Sequence, residues 1–308
     1  MIAVDWGTSS FRAYRLNAAG EVIDRRTAAA GLIACHGAFE AVLAQQLSAW
    51  DDGLIVMGGM IGSRNGWHEV PYVPCPAGLD EIACGMLEVA TPGMPGRRIF
   101  IAPGLSARSG SGLPEVMRGE ETQLLGLLDG LPGECPHTVG LPGTHSKWAT
   151  ASGGCISAFQ TAMTGELYAL LRQHSLLGAL MTDEGGNEVD DKADDEMAFA
   201  CGVTTSGSAG GLPNHLFSVR TRGLFGEFSA TQLPSYLSGL LIGHELRGLL
   251  SATERVHLIG GSALVRRYQR ALALLGIESN AHAEALAARG LHRLARARGL
   301  LSPKGEDQ

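Results

Sequence analysis

No apolar run in this 308-residue chain approaches the roughly 20 residues that a membrane span needs; Leu237 to Gly243 is among the longest. Charge is sparse: 18% of positions, against a usual share of about a quarter. Basic residues are the scarcer sign, 24 against 31 acids, for a net charge of −7. That balance excludes general nucleic-acid binding, which runs on a basic surface. The opening Met1-Ile2-Ala3-Val4-Asp5 has neither a charged nor an extended apolar leader region, so no secretory signal is expected. The six Cys form no C-x-x-C pair, and reduced, packed thiols in a cytoplasmic protein are the expectation. A phosphate loop of the G-x-x-x-x-G-K-[ST] kind is missing, as are a post-strand G-x-G-x-x-G and any G-x-S-x-G. Those gaps remove P-loop, dinucleotide-binding and nucleophile-elbow chemistry. His244-Glu245 meets Gly248 where a zincin places its second His.

What is present is an apolar share of 45% and an excess of glycine, 43 residues with no three-residue period. The first figure suits a core of one or two domains held without disulfides. The second points to a backbone that approaches something closely. Strands are predicted at residues 2–6, 11–17 and 21–30, a helix at 39–50, a strand at 54–57, a helix at 79–87 and a strand at 98–102. Residues 104–114, rich in Ser, Gly and Pro, read as a linker, and a helix follows at 119–129. The opening pattern then restarts: strands at 138–141, 146–151 and 155–161, then a helix at 166–177. Helices at 191–201, 235–250 and 263–275, a strand at 256–259 and a basic helix at 282–300 complete the chain. The eight acids within residues 183–196 lack an EF-hand pattern and read as a solvated loop and helix start.

Two glycine turns, Asp5-Trp6-Gly7-Thr8-Ser9 and Gly143-Thr144-His145-Ser146, each sit between predicted strands. Their backbone N–H groups and hydroxyls are the donors a polyphosphate needs where no P-loop supplies them. Asp5 ends its strand beside the first turn and suits Mg²⁺, which takes one or two carboxylates and keeps its waters. Either turn alone also fits a plain hairpin. A further strand ends in Gly260-Gly261 and leads into a helix.

These three elements resemble the phosphate and adenosine motifs of the actin-like ATPase superfamily. More closely, the chain is similar from end to end to the 2-dehydro-3-deoxygalactonokinase family. The similarity rests on GGMIGSRNGWHEVPYVPCP (58–76), MRGEETQLLG (117–126), LPGTHSKW (141–148), FQTAMTGE (159–166) and SYLSGLLIGHEL (235–246). The resemblance implies an α/β fold of two RNase-H-like domains with mixed sheets flanking an interdomain cleft. We expect residues 1–110 in the first domain and 111–308 in the second, with the last helix packing back on the first. It implies ATP and Mg²⁺ as cofactors, and phosphorylation of the 6-hydroxyl of 2-dehydro-3-deoxy-D-galactonate in the cytoplasm. Neither nucleic acid nor membrane is an expected partner, and a homodimer is left open. A kinase of another sugar acid or polyol, or a nucleotide-dependent binding protein, are the alternatives.

The resemblance also carries residue roles. Gly7, Thr8, Ser9, Arg12, Gly143, Thr144, His145, Gly260 and Gly261 would contact the nucleotide. Where related kinases have a catalytic Asp, this chain has Glu120 and Glu121; Glu120 is the candidate base and Glu121 its rival. A helix N-terminus also favours carboxylates and lowers their pKa. Arg64, Asn65, Trp67 and Glu69 occupy the region that binds sugar, Arg64 suiting a carboxylate and Trp67 a sugar face. An ordinary surface loop with Trp67 turned inward, Arg12 as an exposed strand residue, and His145 and Lys147 as solvent-facing groups are the plainer alternatives.

Overall fold

The computed structural model describes residues 1–133, 135–182, 195–250, 255–283 and 285–301. The acidic positions 183–194 lie outside them. The first sheet contains β1 (Ile2–Trp6), β2 (Phe11–Leu16), β3 (Val22–Ala28) and β4 (Leu54–Gly58). Between β3 and β4 lie the helices α1 (Leu32–Cys35) and α2 (Phe39–Gln46). Then come β5 (Val73–Pro74), α3 (Leu79–Cys84), β6 (Leu87–Val89) and β7 (Arg98–Ile101). The sheet order is β3-β2-β1-β4-β7-β6. β1 runs antiparallel to β2 and parallel to β4, which is parallel to β7. Ile2, Ala3, Val4 and Trp6 are fully buried, as befits a strand covered on both faces. β3 lies at the edge and exposes Asp24 and Arg25, charges that discourage further strand pairing.

Residues 104–114 are not a linker. β8 (Leu105–Arg108) and β9 (Pro114–Met117) form a hairpin and, with β5, a three-stranded sheet. Ser109 Oγ accepts the Leu113 N–H at 3.1 Å across the turn, and Leu105 and Met117 are buried at the paired ends. The Ser and Gly that suggest a linker belong to the tip. The helix expected at 79–87 stops at Cys84, and the next strand pairs with β7. α4 (Glu120–Leu128) follows the hairpin.

The second sheet holds β10 (His137–Leu141), β11 (Ser146–Ser152) and β12 (Cys155–Ala162). Helices α5 (Thr164–His174), α6 (Glu196–Thr205), α7 (Gly211–Leu224) and α8 (Leu233–Leu249) come next. β13 (Arg255–Ile259), α9 (Ser262–Leu274), β14 (Glu278–His282) and α10 (Leu286–Ala297) end the described chain. The sheet order is β12-β11-β10-β13-β14, with β10, β13 and β14 mutually parallel in sequence of pairing. Third, second, first, fourth, fifth is also the spatial order of the first sheet without β6. The restart at Thr138 is therefore a repeat of RNase-H-like topology within a mixed α/β protein.

Two compact units result. One comprises Met1–His137, Ala149–Phe159 and the C-terminal segment carrying α10; the other comprises Thr138–Trp148 and Gln160–Ala283. Residues 111–137, grouped with the second domain on sequence, lie in the first unit. There α10 packs on α4, α3, β1 and β4. α4 and α10 cross backbone to backbone: a Cβ on Gly126 would overlap the Leu286 carbonyl, and one on Gly290 the Thr122 carbonyl. In the other unit α8 is buried almost all round, the mark of a central helix.

Candidate active site

In the first unit the parallel strands β1 and β4 end together, Asp5 level with Gly58. The carboxyl ends of parallel strands are where open α/β sheets bind ligands. Asp5 is mostly buried, and its Oδ2 accepts from Arg12 Nη1 at 3.2 Å, its cross-strand neighbour on β2. Arg12 is thus half-buried and paired, not a solvent-facing strand residue. Gly59, at φ 97°, follows directly: a Cβ there would come within 2.7 Å of the Trp6 carbonyl and 3.3 Å of Asp5 Oδ1. Only glycine allows that backbone conformation at that distance. A Cβ on Gly119 would lie 3.2 Å from Gly59 Cα, so the start of α4 and the end of β1 share one neighbourhood. Thr8 and Ser9 are exposed at the first turn, which closes with Gly7 N–H donating to Ser10 O at 2.9 Å. Leu32 and Ile33 N–H groups donate to the Gly7 and Thr8 carbonyls at 3.1 and 3.3 Å and brace the turn from behind.

The acid pair divides. Glu120 Oε2 accepts the Arg118 N–H at 3.0 Å and its side chain is partly exposed. Glu121 is fully buried; its Oε2 accepts the Gly119 N–H at 2.6 Å, while Oε1 has no partner among protein atoms. Burial, reinforced by the Glu120 charge, pushes the Glu121 carboxyl up to about 8. At this position desolvation outweighs the helix terminus that lowers carboxylate pKa. A sealed, largely protonated acid is a poor base for an incoming hydroxyl, so the geometry favours Glu120 over its rival.

The sugar-binding candidates sit on a tight loop. Gly66 N–H donates to Ser63 O, Trp67 N–H to Ile61 O and Val70 N–H to Gly62 O, each at 2.9 Å. Arg64, Asn65 and Glu69 are exposed on it. Trp67 is half-buried, its ring packed against the unit's core and 5.7 Å from His68. The Trp67 ring is therefore partly committed to packing.

In the second unit, the β10–β11 turn exposes Thr144 and His145. His145 Nε2 lies 2.5 Å from Glu166 Oε2, and Thr144 O accepts the Glu166 N–H at 3.0 Å. Lys147 does not face solvent: it is buried, and its Nζ donates to Thr161 Oγ1 at 3.0 Å. Gly260 and Gly261 join β13 to α9, and a Cβ on Gly260 would lie 3.4 Å from Pro142 O. The second and third glycine elements are thus adjacent. Beside them is a pocket of about 220 Å³ lined by Gly143, Thr144, Thr164, Leu264, Arg267 and Tyr268 among others. Donor-rich backbone at one side and apolar wall at the other suit a nucleotide.

Behind that pocket is a buried network that sequence reasoning missed. Trp148 Nε1 donates to Glu245 Oε1 at 2.6 Å, and Tyr268 OH to Glu245 Oε2 at 2.7 Å. Ser146 Oγ lies 2.9 Å from Tyr268 OH. Burial raises the Glu245 carboxyl, opposed by hydrogen bonds from Thr164, Trp148, Tyr268 and Ser146. The network fixes the residues just after the second turn. Its only sequence signal was an acid within the apolar stretch 235–246. Among the described residues no group of three or more His, Cys, Asp or Glu side chains could hold a metal.

The family described as 2-keto-3-deoxy-galactonokinase matches residues 5–294. A 2-dehydro-3-deoxygalactonokinase of Escherichia coli (strain K12) is 35% identical over 286 residues, 91% of each chain. A relative from Rhizobium meliloti (strain 1021), given the same enzyme name as a probable assignment, is 38% identical over 304 residues, 96% of each chain. A crystal structure from Sinorhizobium meliloti, titled as a putative protein of that name, superposes with a TM-score of 0.86 at 36% identity, covering 96% of this chain and 98% of its own. Matched along nearly its whole length in sequence and in fold, the chain belongs to the 2-keto-3-deoxy-galactonokinase family.

Proposed function

We propose that the protein transfers the γ-phosphoryl group of ATP to the 6-hydroxyl of 2-dehydro-3-deoxy-D-galactonate. The observation that carries this reading is the start of α4: Glu120 follows Gly119, which packs against Gly59, itself next to Asp5 where β1 and β4 end. Glu120 orients and deprotonates the acceptor hydroxyl. In the first unit Thr8, Ser9 and the turn backbone offer donors to phosphate; in the second unit the pocket beside Gly143 suits the nucleoside. In such transfers positioning and electrostatics supply most of the acceleration.

Mg²⁺ fits Asp5. The ion accepts a single carboxylate and retains its waters; Arg12 occupies Oδ2, while Oδ1 lies toward Gly59. When bound, the ion neutralises phosphate charge. Asp5→Asn is expected to raise the Mg²⁺ concentration for half-maximal rate about tenfold or more, with the unfolding midpoint little changed. An unaltered Mg²⁺ titration removes Asp5 from this role. Among the described residues no helix is long and apolar enough to cross a membrane.

The deciding experiment is a coupled ADP-release assay across 2-keto-3-deoxy acids and their neutral counterparts. Arg64, exposed on its loop, offers a planar fork to the substrate carboxylate. A charge-assisted bond of this kind is worth about 1.5–3 kcal/mol, or roughly ten- to a hundredfold in affinity. Arg64→Ala should raise KM for the acid by that factor and leave KM for ATP unchanged. Equal turnover of acid and neutral alcohol by the wild type overturns the sugar-acid assignment; ATP binding without turnover of any acceptor favours a binding protein.

A further inference from the structure

Arg118 is 9% exposed, yet its Nε and Nη1 have no partner among protein atoms. Its remaining nitrogen, Nη2, donates to the Val70 carbonyl at 2.7 Å. The guanidinium carbon lies 4.4 Å from the centre of the Tyr72 ring, a cation–π distance. A Cβ on Gly62 would come within 2.9 Å of Nη1. These three contacts fall at the two ends of one segment, residues 62–72, which carries Arg64, Asn65, Trp67 and Glu69. The backbone N–H of the same residue donates to Glu120 Oε2 at 3.0 Å. Arg118 therefore holds the sugar-acid loop with its side chain and the candidate base with its main chain.

A buried, incompletely bonded cation is costly, and an apolar residue would fill the space more cheaply. Guanidinium is distinctive in donating in its plane while stacking on a ring face, which an ammonium does not reproduce. We infer that Arg118 is a positioning residue that sets the distance between the carboxylate-binding loop and Glu120, and thereby selects the chain length of the acid. The inference rests on the function proposed above. A six-carbon acid gripped at C1 by the loop presents its terminal hydroxyl at the base only if that separation is held. A five-carbon acid falls short. Displacement of about 1 Å is enough to cost up to a hundredfold in rate.

The test compares wild type, Arg118→Lys and Arg118→Ala on six- and five-carbon 2-keto-3-deoxy acids, with hydrogen exchange on the same proteins. Arg118→Lys is expected to lower kcat/KM for the six-carbon acid about ten- to a hundredfold. Its preference over the five-carbon acid should shrink, with KM for ATP unchanged. Added guanidinium should recover part of the Arg118→Ala loss together with the preference for the six-carbon acid, a shift in preference that a merely structural role does not predict. The Trp67 and Val70 amides should exchange faster while β1 and β4 keep wild-type protection. Should both Arg118 variants fail to fold, Tyr72→Leu, which removes only the exposed ring, must show the same two shifts in smaller measure. A wild type inert toward every keto-deoxy acid overturns the proposed function and this inference with it. An active wild type with unchanged chain-length preference in the variants, or with both KM values moving together, overturns the inference alone.

Discussion

Glu120→Gln is expected to reduce kcat by at least about 10²-fold while ATP binding stays at the wild-type level. The amide keeps the length of the side chain and its acceptor for the Arg118 N–H, so the helix start is preserved. What it removes is the proton-accepting capacity that we propose for this side chain. Steady-state turnover with the sugar acid, together with a direct ATP-binding titration, checks this. A variant with near-normal kcat would transfer the base role elsewhere. Glu121 would be a poor second choice, because no face of it reaches solvent.

Glu121→Gln is expected to change stability rather than chemistry. In the unfolded chain a glutamate loses its proton near its ordinary value of about 4.3; in the folded protein this one keeps it up to about 8. Between those limits the unfolded state binds fewer protons, so the contribution to stability is complete below the lower value and is lost as pH rises through the upper one. The loss is on the order of a few kcal/mol. Glutamine cannot ionise and still offers an oxygen to the Gly119 N–H, so the variant lacks this slope. Urea midpoints at pH 5 and pH 8 should therefore place the variant level with or slightly below wild type at the lower pH and above it at the higher. Parallel curves would show that Glu121 ionises normally in the folded state.

Sequence reveals the parts of this protein whose residues carry their own signal. β1 and β4 are mostly apolar, β2 keeps Phe11, Ala13, Tyr14 and Leu16 around two arginines, and the predicted limits of all three agree with the structure to within a residue. The restart at Thr138 was visible because the same strand–turn–strand rhythm returns. β14, Glu278–His282, was missed because it is a polar, partly exposed edge strand with no alternation to read. α7 opens Gly211-Leu212-Pro213, a loop signature, although proline in a first helical turn removes an N–H that has no partner there anyway. The acid pair was legible as a pair, but not its division, since burial of Glu121 is set by what packs over α4. Glu245 was hidden for the same reason: its partners lie on β11 and α9, far away in sequence.

The packing of α10 on α4 also sets an order of events during synthesis. Leu124, Leu125, Leu127 and Leu128 are buried in the finished protein, and Ala287, Leu291 and Leu294 of α10 belong to the same unit's interior. Between the end of α4 and the start of α10 the ribosome must add the whole of Thr138–Ala283. At about 5–20 residues per second that is roughly ten to thirty seconds. Throughout this interval the nascent N-terminal unit presents the surface of α4, α3, β1 and β4 that α10 covers in the finished protein. Exposed apolar surface of that kind is what chaperones bind and what aggregates when they are scarce. β1 thus waits for α10, and the acid-bearing end of α4 gains its full support only after the second unit has emerged.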